Sequence, residues 1–279
     1  MNATLNNQAG HRAGQRADIV RPFGIGFVVL AMTPLVMLPL ASIFFYGFNK
    51  GPIHFWEAVS APAALYSLRL SLMTSSVATA CNVVFGIIAA YVMSKYNFKG
   101  SSALMIIISL PTAIPTAVAG VALLLVWGRS GIFGSLLEYT DYQVMFTTAA
   151  IILANIFVTF PLAFGVIKPA LDNLDPSFEA AAETMGATRW QTFRYVVLPS
   201  LRGAIITGAL LTFARSIGEF GSTIMVSGNK AKTMTAPLYI YAKFNEAEVE
   251  SATAIAAVLA VISFVVFSLI LLTRNRLDK

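Results

Sequence analysis

The stretch Asp175-Pro-Ser-Phe-Glu-Ala-Ala-Ala-Glu-Thr-Met-Gly-Ala-Thr-Arg-Trp-Gln-Thr-Phe-Arg-Tyr-Val-Val-Leu-Pro199 separates two strongly apolar segments and reads as helix, glycine break, helix, proline stop. Asp175 can cap a helix whose first position is Pro176, where the missing N–H would be unpaired in any case, and Glu179 sits near the positive end of that helix. Phe178, Ala181, Ala182 and Met185 fall at helical spacing on one face. Gly186 suits a left-handed turn, and Trp190, Phe193 and Val197 make a second stripe before Pro199. Two short amphipathic helices meeting at an angle, set between apolar segments, make a docking element.

The surrounding composition excludes a soluble globule. With 57% hydrophobic and 11% charged residues and a mean hydropathy of +0.74, the chain reads as an all-α integral membrane protein. Since a helical span needs about 20 mostly apolar residues, six spans are expected at roughly 23–46, 67–94, 103–128, 145–167, 203–226 and 252–273. The domain organisation follows: residues 1–22 form an N-terminal tail, 23–273 a six-helix membrane domain with its docking loop at about 168–202, and 274–279 a C-terminal tail. The first span reads as retained rather than as a cleaved signal, because a polar segment precedes it and no small-residue cleavage site follows promptly.

Basic residues orient the chain. With the N-terminus inside, Arg12, Arg16, Arg21, Lys95, Lys99, Lys168, Arg189, Arg194, Arg202, Arg274, Arg276 and Lys279 fall on the cytoplasmic side, against only Lys50, Arg129, Lys230, Lys232 and Lys243 outside. The positive-inside rule therefore places both termini and the Gly186 loop in the cytoplasm. The net charge of +6 lies on membrane flanks rather than in one patch, so it orients the protein and does not mark a nucleic-acid partner.

Several chemistries are absent from the sequence. No Gly-x-x-x-x-Gly-Lys-Ser/Thr loop exists, so an energy source must come from elsewhere. Cys81 stands alone in an apolar span and reads as packing. His11 and His54 lie in the tail and the first external loop, where neither serves as an intramembrane base or metal ligand. Gly128-Arg-Ser-Gly131 resembles a serine motif but has no membrane histidine to activate it. Asn2-Ala-Thr4 is a formal glycosylation sequon on a tail expected to be cytoplasmic.

Ionisable residues inside the spans are few. Arg215 and Glu219 lie four apart near the middle of the expected fifth span, where a lone charge costs about 2.5 to 3.5 kcal/mol on insertion scales, so they must face protein or water. They read either as a structural ion pair or as a gate or anion-binding element. Ser216, Gly218, Gly221 and Ser222 around them could expose backbone N–H groups to an oxyanion. Pro111 and Pro115 imply a kinked or broken third span, for packing or for the pathway. Arg69 reads as snorkelling to the outer surface or as drawing anions to the mouth, and the mixed-charge loop Ser227 to Ser251 as a partner surface or a solvated loop.

The Gly186 loop resembles the EAA loop of ABC importer permeases. Gly186, Val196, Leu198 and Pro199 match the spacing of that pattern, and Ala180, Ala181 and Ala182 occupy its leading positions, so alanine stands where the family usually has glutamate, with Glu179 one residue earlier. The stretch Phe213 to Asn229, together with Leu110-Pro-Thr-Ala-Ile-Pro-Thr-Ala-Val-Ala-Gly120 and Asn97-Phe-Lys-Gly100, is similar to permeases for sulfate, thiosulfate, molybdate and tungstate. The T-type sulfate permeases resemble it most through the same extra first span. Trp127 to Gly134 and Ser222 to Asn229 look at least as much like molybdate permeases, so the resemblance favours sulfate or thiosulfate as the anion, with molybdate or tungstate as the alternative.

The resemblance implies a type I (MetI-like) importer permease of the plasma (inner) membrane. It implies coupling to an ATPase through Glu179, Ala180, Ala181, Ala182, Gly186, Leu198 and Pro199, and a pathway or gate at Pro111, Pro115, Arg215, Ser216, Gly218, Glu219, Gly221 and Ser222. The expected partners are ABC ATPase subunits that use ATP and Mg, a second permease subunit (the same chain or a W-type relative) and an extracytoplasmic anion-binding protein, with no cofactor held by this chain. The competing class is a secondary anion transporter relaying ions through Arg215 and Glu219, which has no need of the Gly186 loop.

Overall fold

The computed structural model describes residues 26–96, 98–134 and 143–277. The N-terminal tail with its sequon, His11 and arginines, together with Asn97 and Lys279, lies outside the described residues. Those described form helices joined by turns, with no strand among them.

Helix α1 (Gly26–Gly47) is apolar throughout, and none of its membrane-length window is buried by the rest of the chain. Only its end packs closely, Gly47 lying against the backbone of Thr253 and Ala254. A short helix α2 (Pro52–Ser60) leads to α3 (Pro62–Lys95), and each starts on a proline, which suits a first helical position. At 34 residues α3 is about 50 Å long and outreaches the hydrocarbon core, so it begins five residues before the expected boundary at 67.

The expected third span is broken rather than kinked. Helices α4 (Ser101–Ala113) and α5 (Thr116–Trp127) are bent by 114° at their junction. Pro115 supplies no N–H and forces Ile114 into extended backbone (φ −94°, ψ 145°), which ends α4. By contrast α6 (Thr148–Asp172) runs unbroken through Pro161 and Pro169.

After α7 (Pro176–Thr184), α8 (Arg189–Ser200) leads into α9 (Arg202–Ile217) through a 64° bend, so Pro199 does not end the segment as the sequence suggests. The helix widens into one π-type turn over Phe193–Val197, where the Leu198 N–H reaches the Phe193 carbonyl. That widening relieves the clash a proline ring makes with the carbonyl four residues earlier.

The expected fifth span at 203–226 is likewise not one helix. It consists of α9 and α10 (Gly221–Ser227), separated at 218–220. A turn at Ala231–Thr233 and α11 (Ala236–Asn245) precede the last helix, α12 (Val249–Leu277), which continues through residues 274–277 of the expected tail. Among the described residues four helices are individually long and apolar enough to cross a membrane; counting the bent pairs α4–α5 and α8–α9 as one span each raises this to six.

The packing is that of a membrane bundle, with small and polar residues inside and large apolar residues outside. Along α3 the buried positions Ser67, Ser71, Ser75, Ala78, Asn82, Gly86 and Ala90 recur every three or four residues, whereas Val84, Phe85 and Ile88 are exposed. Lipid tails solvate leucine as well as protein does, so close backbone approach and hydrogen bonds, rather than apolar burial, hold such helices together. A β-carbon on Gly86 would lie 3.5 Å from Ala163 Cβ, and one on Gly208 of α9 would lie 3.4 Å from the Ala163 carbonyl. Helix α6 is therefore clasped between α3 and α9 at Ala163.

Candidate functional site

The docking loop is built as its residues require. Asp175 Oδ1 accepts the Ser177 N–H at 2.9 Å, and Pro176 occupies the first position of α7. This contact holds the Asp175 carboxyl below its ordinary range, because the bonded backbone N–H favours the charged form. At the other end Gly186 has φ +86°, its N–H reaches the Glu183 carbonyl at 2.9 Å, and the Ala187 N–H reaches Ala182 at 3.0 Å. That paired closure is the glycine-ended helix stop the sequence suggested.

The next helix opens with a cap that the sequence reading overlooked. Thr188 Oγ1 accepts from the Gln191 N–H at 3.3 Å while Gln191 Oε1 accepts from the Thr188 N–H at 2.7 Å. Thr-x-x-Gln is a legible capping signal.

The candidate coupling residues divide by environment. Ala180 and Ala181 are exposed, Ala182 is half-buried, Leu198 is half-buried and Pro199 is exposed. Glu179 does not project freely, because its Oε1 pairs with Lys95 Nζ at the end of α3. The outward face carries large apolar side chains, with Met185 88% exposed at the turn and Phe178, Trp190 and Tyr195 also exposed. No residue of α7 is buried by the chain itself. Behind this face a groove of about 700 Å³ lies between Ala170, Phe178, Tyr195, Pro199 and Arg202. The turn and its two short helices thus present large apolar side chains outward.

The candidate pathway residues converge where the two broken segments meet. A β-carbon on Gly221 would fall 2.1 Å from Thr116 Oγ1, and one on Gly120 would fall 2.7 Å from the Ser222 carbonyl. The N-terminal turns of α5 and α10 are thus in close contact, while Pro111 is buried within α4, two residues before its end.

Arg215 and Glu219 form the pair the spacing suggested, Nη1 to Oε2 at 2.6 Å. The pair is lopsided: the Glu219 side chain is 1% exposed and that of Arg215 43%. Glu219 Oε1 also accepts from both the N–H and the Oγ of Ser222, at 2.9 and 3.0 Å. Glu219 therefore caps α10 from inside and tethers Arg215, whose guanidinium faces outward. Ser222 gives both its N–H and its hydroxyl to Glu219, which leaves neither for an anion. Ser216 is buried, and Gly218 borders open space.

Sequence reading missed a buried polar seam beside this site. Asn82 Nδ2 donates to Thr159 Oγ1 at 2.8 Å and to the Ile156 carbonyl at 3.2 Å, and Thr159 Oγ1 donates to the Asn155 carbonyl at 2.7 Å. Asn155, Thr212 and Thr223 are also buried. The available signal was the run of Ser, Thr and Asn at helical spacing in 67–82, which hydropathy averaging hides. Arg69, two turns into α3, is exposed. No group of three His, Cys, Asp or Glu side chains able to hold a metal occurs among the described residues.

The chain matches, over residues 82–279, the family model described as binding-protein-dependent transport system inner membrane component. It is 34% identical to the sulfate transport system permease protein CysT of Escherichia coli (strain K12), over 91% of this chain and 92% of that one. It is 32% identical to the sulfate transport system permease protein CysW of Synechocystis, over 89% and 92%. Among solved structures it resembles a bacterial ABC transporter that imports the acidic polysaccharide alginate, with a TM-score of 0.71 at 19% identity over 96% of this chain and 98% of that one. It also resembles the MetNI methionine ABC transporter, with a TM-score of 0.51 at 17% identity over 76% and 99%. These last two bear on the fold alone. The chain belongs to the binding-protein-dependent transport inner membrane family, and is an ABC importer permease.

Proposed function

We propose that this member of the binding-protein-dependent transport inner membrane family is the permease subunit that carries sulfate or thiosulfate inward across the membrane. The carrying observation is that relatives named as sulfate permeases align with it over about nine-tenths of their length and of its own. The tethered Arg215 supports the same reading: a fixed guanidinium with outward-facing donors suits a tetrahedral oxyanion, while Glu219 offsets its charge at membrane depth. Molybdate and tungstate share that shape and charge and form the alternative substrate class.

In this reading the energy comes from separate ATPase subunits that use ATP and Mg. They seat on the face around Phe178 and Met185, and both termini of the permease share their cytoplasmic side. A second permease, the same chain or a W-type relative, completes the pathway, and an extracytoplasmic binding protein delivers the anion. ATPase closure pulls on the paired loops and turns the bundles as rigid bodies, so that one site faces each side alternately.

The test is ATP-dependent uptake of labelled sulfate by the reconstituted complex, with and without molybdate. Uptake that resists low molybdate supports sulfate; uptake abolished by traces of molybdate or tungstate assigns the alternative. Uptake that persists without ATP and without the loop would instead support a secondary transporter.

A further inference from the structure

Where α3 and α6 end, some charged groups are paired and others, among them Lys99, Glu183, Arg189 and Arg202, have no ion-pair partner among the described residues. Lys95 pairs with Glu179, and Lys168 with Asp172 at 2.6 Å. Arg194 lies over the Tyr195 ring, 5.9 Å from its centroid. Arg189, the first residue of α8, has no carboxylate within ion-pair distance among the described residues. It borders a groove of about 310 Å³ with Ile88, Tyr91, Val92, Tyr96, Trp190 and Phe193.

The groove is amphipathic along one direction. Ile88 and Val92 are exposed and continue the row begun by Val84 and Phe85 on the outer face of α3. Tyr91 meets the Phe193 ring edge-on at 4.9 Å, and Trp190 stacks on the same ring at 5.7 Å, so three aromatic rings brace one another between α3 and α8. Tyr96 and Trp190 keep exposed surface at the end where Arg189 stands. An exposed apolar wall along α3, aromatic rings at its edge and a guanidinium without an ion-pair partner at one end match the parts of a phospholipid in order.

We propose that this groove binds an anionic phospholipid, its phosphate held by Arg189 and its acyl chain laid along Ile88 and Val92. The lipid supplies the negative charge that the protein leaves out, and the guanidinium fork suits two phosphate oxygens. Seated there, the lipid bridges the end of α3 and the start of α8, beside the docking loop. The proposal rests on the permease reading only for the position of the bilayer, so failure of sulfate uptake would leave it standing.

The test uses the full chain in nanodiscs with Trp56→Phe and Trp127→Phe, which leaves Trp190 as the one remaining tryptophan of three. Phosphatidylglycerol or phosphatidylcholine with brominated acyl chains is added at equal mole fraction, and quenching of Trp190 is measured. Phosphatidylglycerol should be preferred about fivefold, the factor one basic side chain near an anionic headgroup supplies. Arg189→Gln should abolish the preference and keep the background quenching by phosphatidylcholine, which shows that the groove is still formed; Arg194→Gln should leave the preference intact. Equal quenching by the two lipids, or a preference that survives Arg189→Gln, would overturn the proposal. Relief of quenching by inorganic phosphate would make the groove a free-anion site. Loss of ATPase co-purification in Arg189→Gln with lipid preference unchanged would assign Arg189 to the ATPase surface.

Discussion

Gly186 is the residue on which the loop turns. A β-carbon there would meet nothing within 4 Å, so any substitution acts through the backbone alone. Holding an L-residue in the left-handed region costs about 1 to 2 kcal/mol, enough to misplace the turn without unfolding the bundle. Gly186→Val is expected to leave ATP hydrolysis near its normal rate while transport falls severalfold, read as the uptake-to-hydrolysis ratio in proteoliposomes. An unchanged ratio would separate the turn from coupling. Asp175 makes a pH prediction: its lowered carboxyl stabilises the loop above the ordinary carboxylate range, and that contribution disappears as pH falls through the lowered value. Hydrogen exchange at Ser177 should therefore quicken under acid conditions, and Asp175→Asn should flatten the dependence. At the pathway, Glu219→Ala is expected to cost about 1 to 3 kcal/mol of stability, because it strips the buried Ser222 donors of their acceptor while the Arg215 it leaves behind is exposed. Arg215→Gln leaves the buried Glu219 carboxylate without its ionic partner and is expected to cost about 3 to 5 kcal/mol, so it should lower the melting temperature more than Glu219→Ala does. The reverse order in thermal melts would show that Glu219 does not depend on Arg215.

Between elements, α5 and α10 meet at Gly221 and Thr116. Gly221→Ala drives a methyl into Thr116 Oγ1 and is expected to lower stability by about 1 to 3 kcal/mol through overpacking. Adding Thr116→Ala removes that oxygen and should restore part of the loss, a non-additivity readable in thermal melts. Asn82→Ala removes the link from α3 to Thr159 on α6 and should cost about 1 kcal/mol, in the range found for polar contacts between membrane helices. Elements were also where sequence reading fell short. Pro199 reads as a stop because proline lacks an N–H, yet one widened turn lets the helix pass it and bend. The glycines at 218 and 221 sit inside an apolar stretch, so hydropathy joins α9 and α10 into one span; the cap that Glu219 places on α10 separates them.

At the scale of the whole molecule, the described bundle leaves two surfaces for others: the α1 face and the apolar docking face around Met185. Their assignment to a membrane side is testable through the single native cysteine. In a Cys81→Ser background, Met185→Cys is expected to react with impermeant maleimide only when the cytoplasmic side is open. Labelling from the outer side would invert the topology and with it the place of the ATPase. The same cysteine should be protected when ATPase subunits are bound.

The sequence by itself determined the membrane class, the existence of the docking loop with its Asp175 cap and Gly186 turn, and the Arg215–Glu219 pairing. All of these depend on local periodicity, on proline and glycine geometry, or on residues one helical turn apart. Only the tertiary structure decided that Glu219 is buried and Arg215 is not, that Glu179 is tied back to Lys95, and that α5 and α10 touch through Thr116 and Gly221. It also decided that Asn82 meets Thr159, 77 positions away. Such contacts depend on which helix faces which, and in a bilayer that choice is made by small residues and hydrogen bonds between distant segments rather than by apolarity, which every lipid-facing side chain shares.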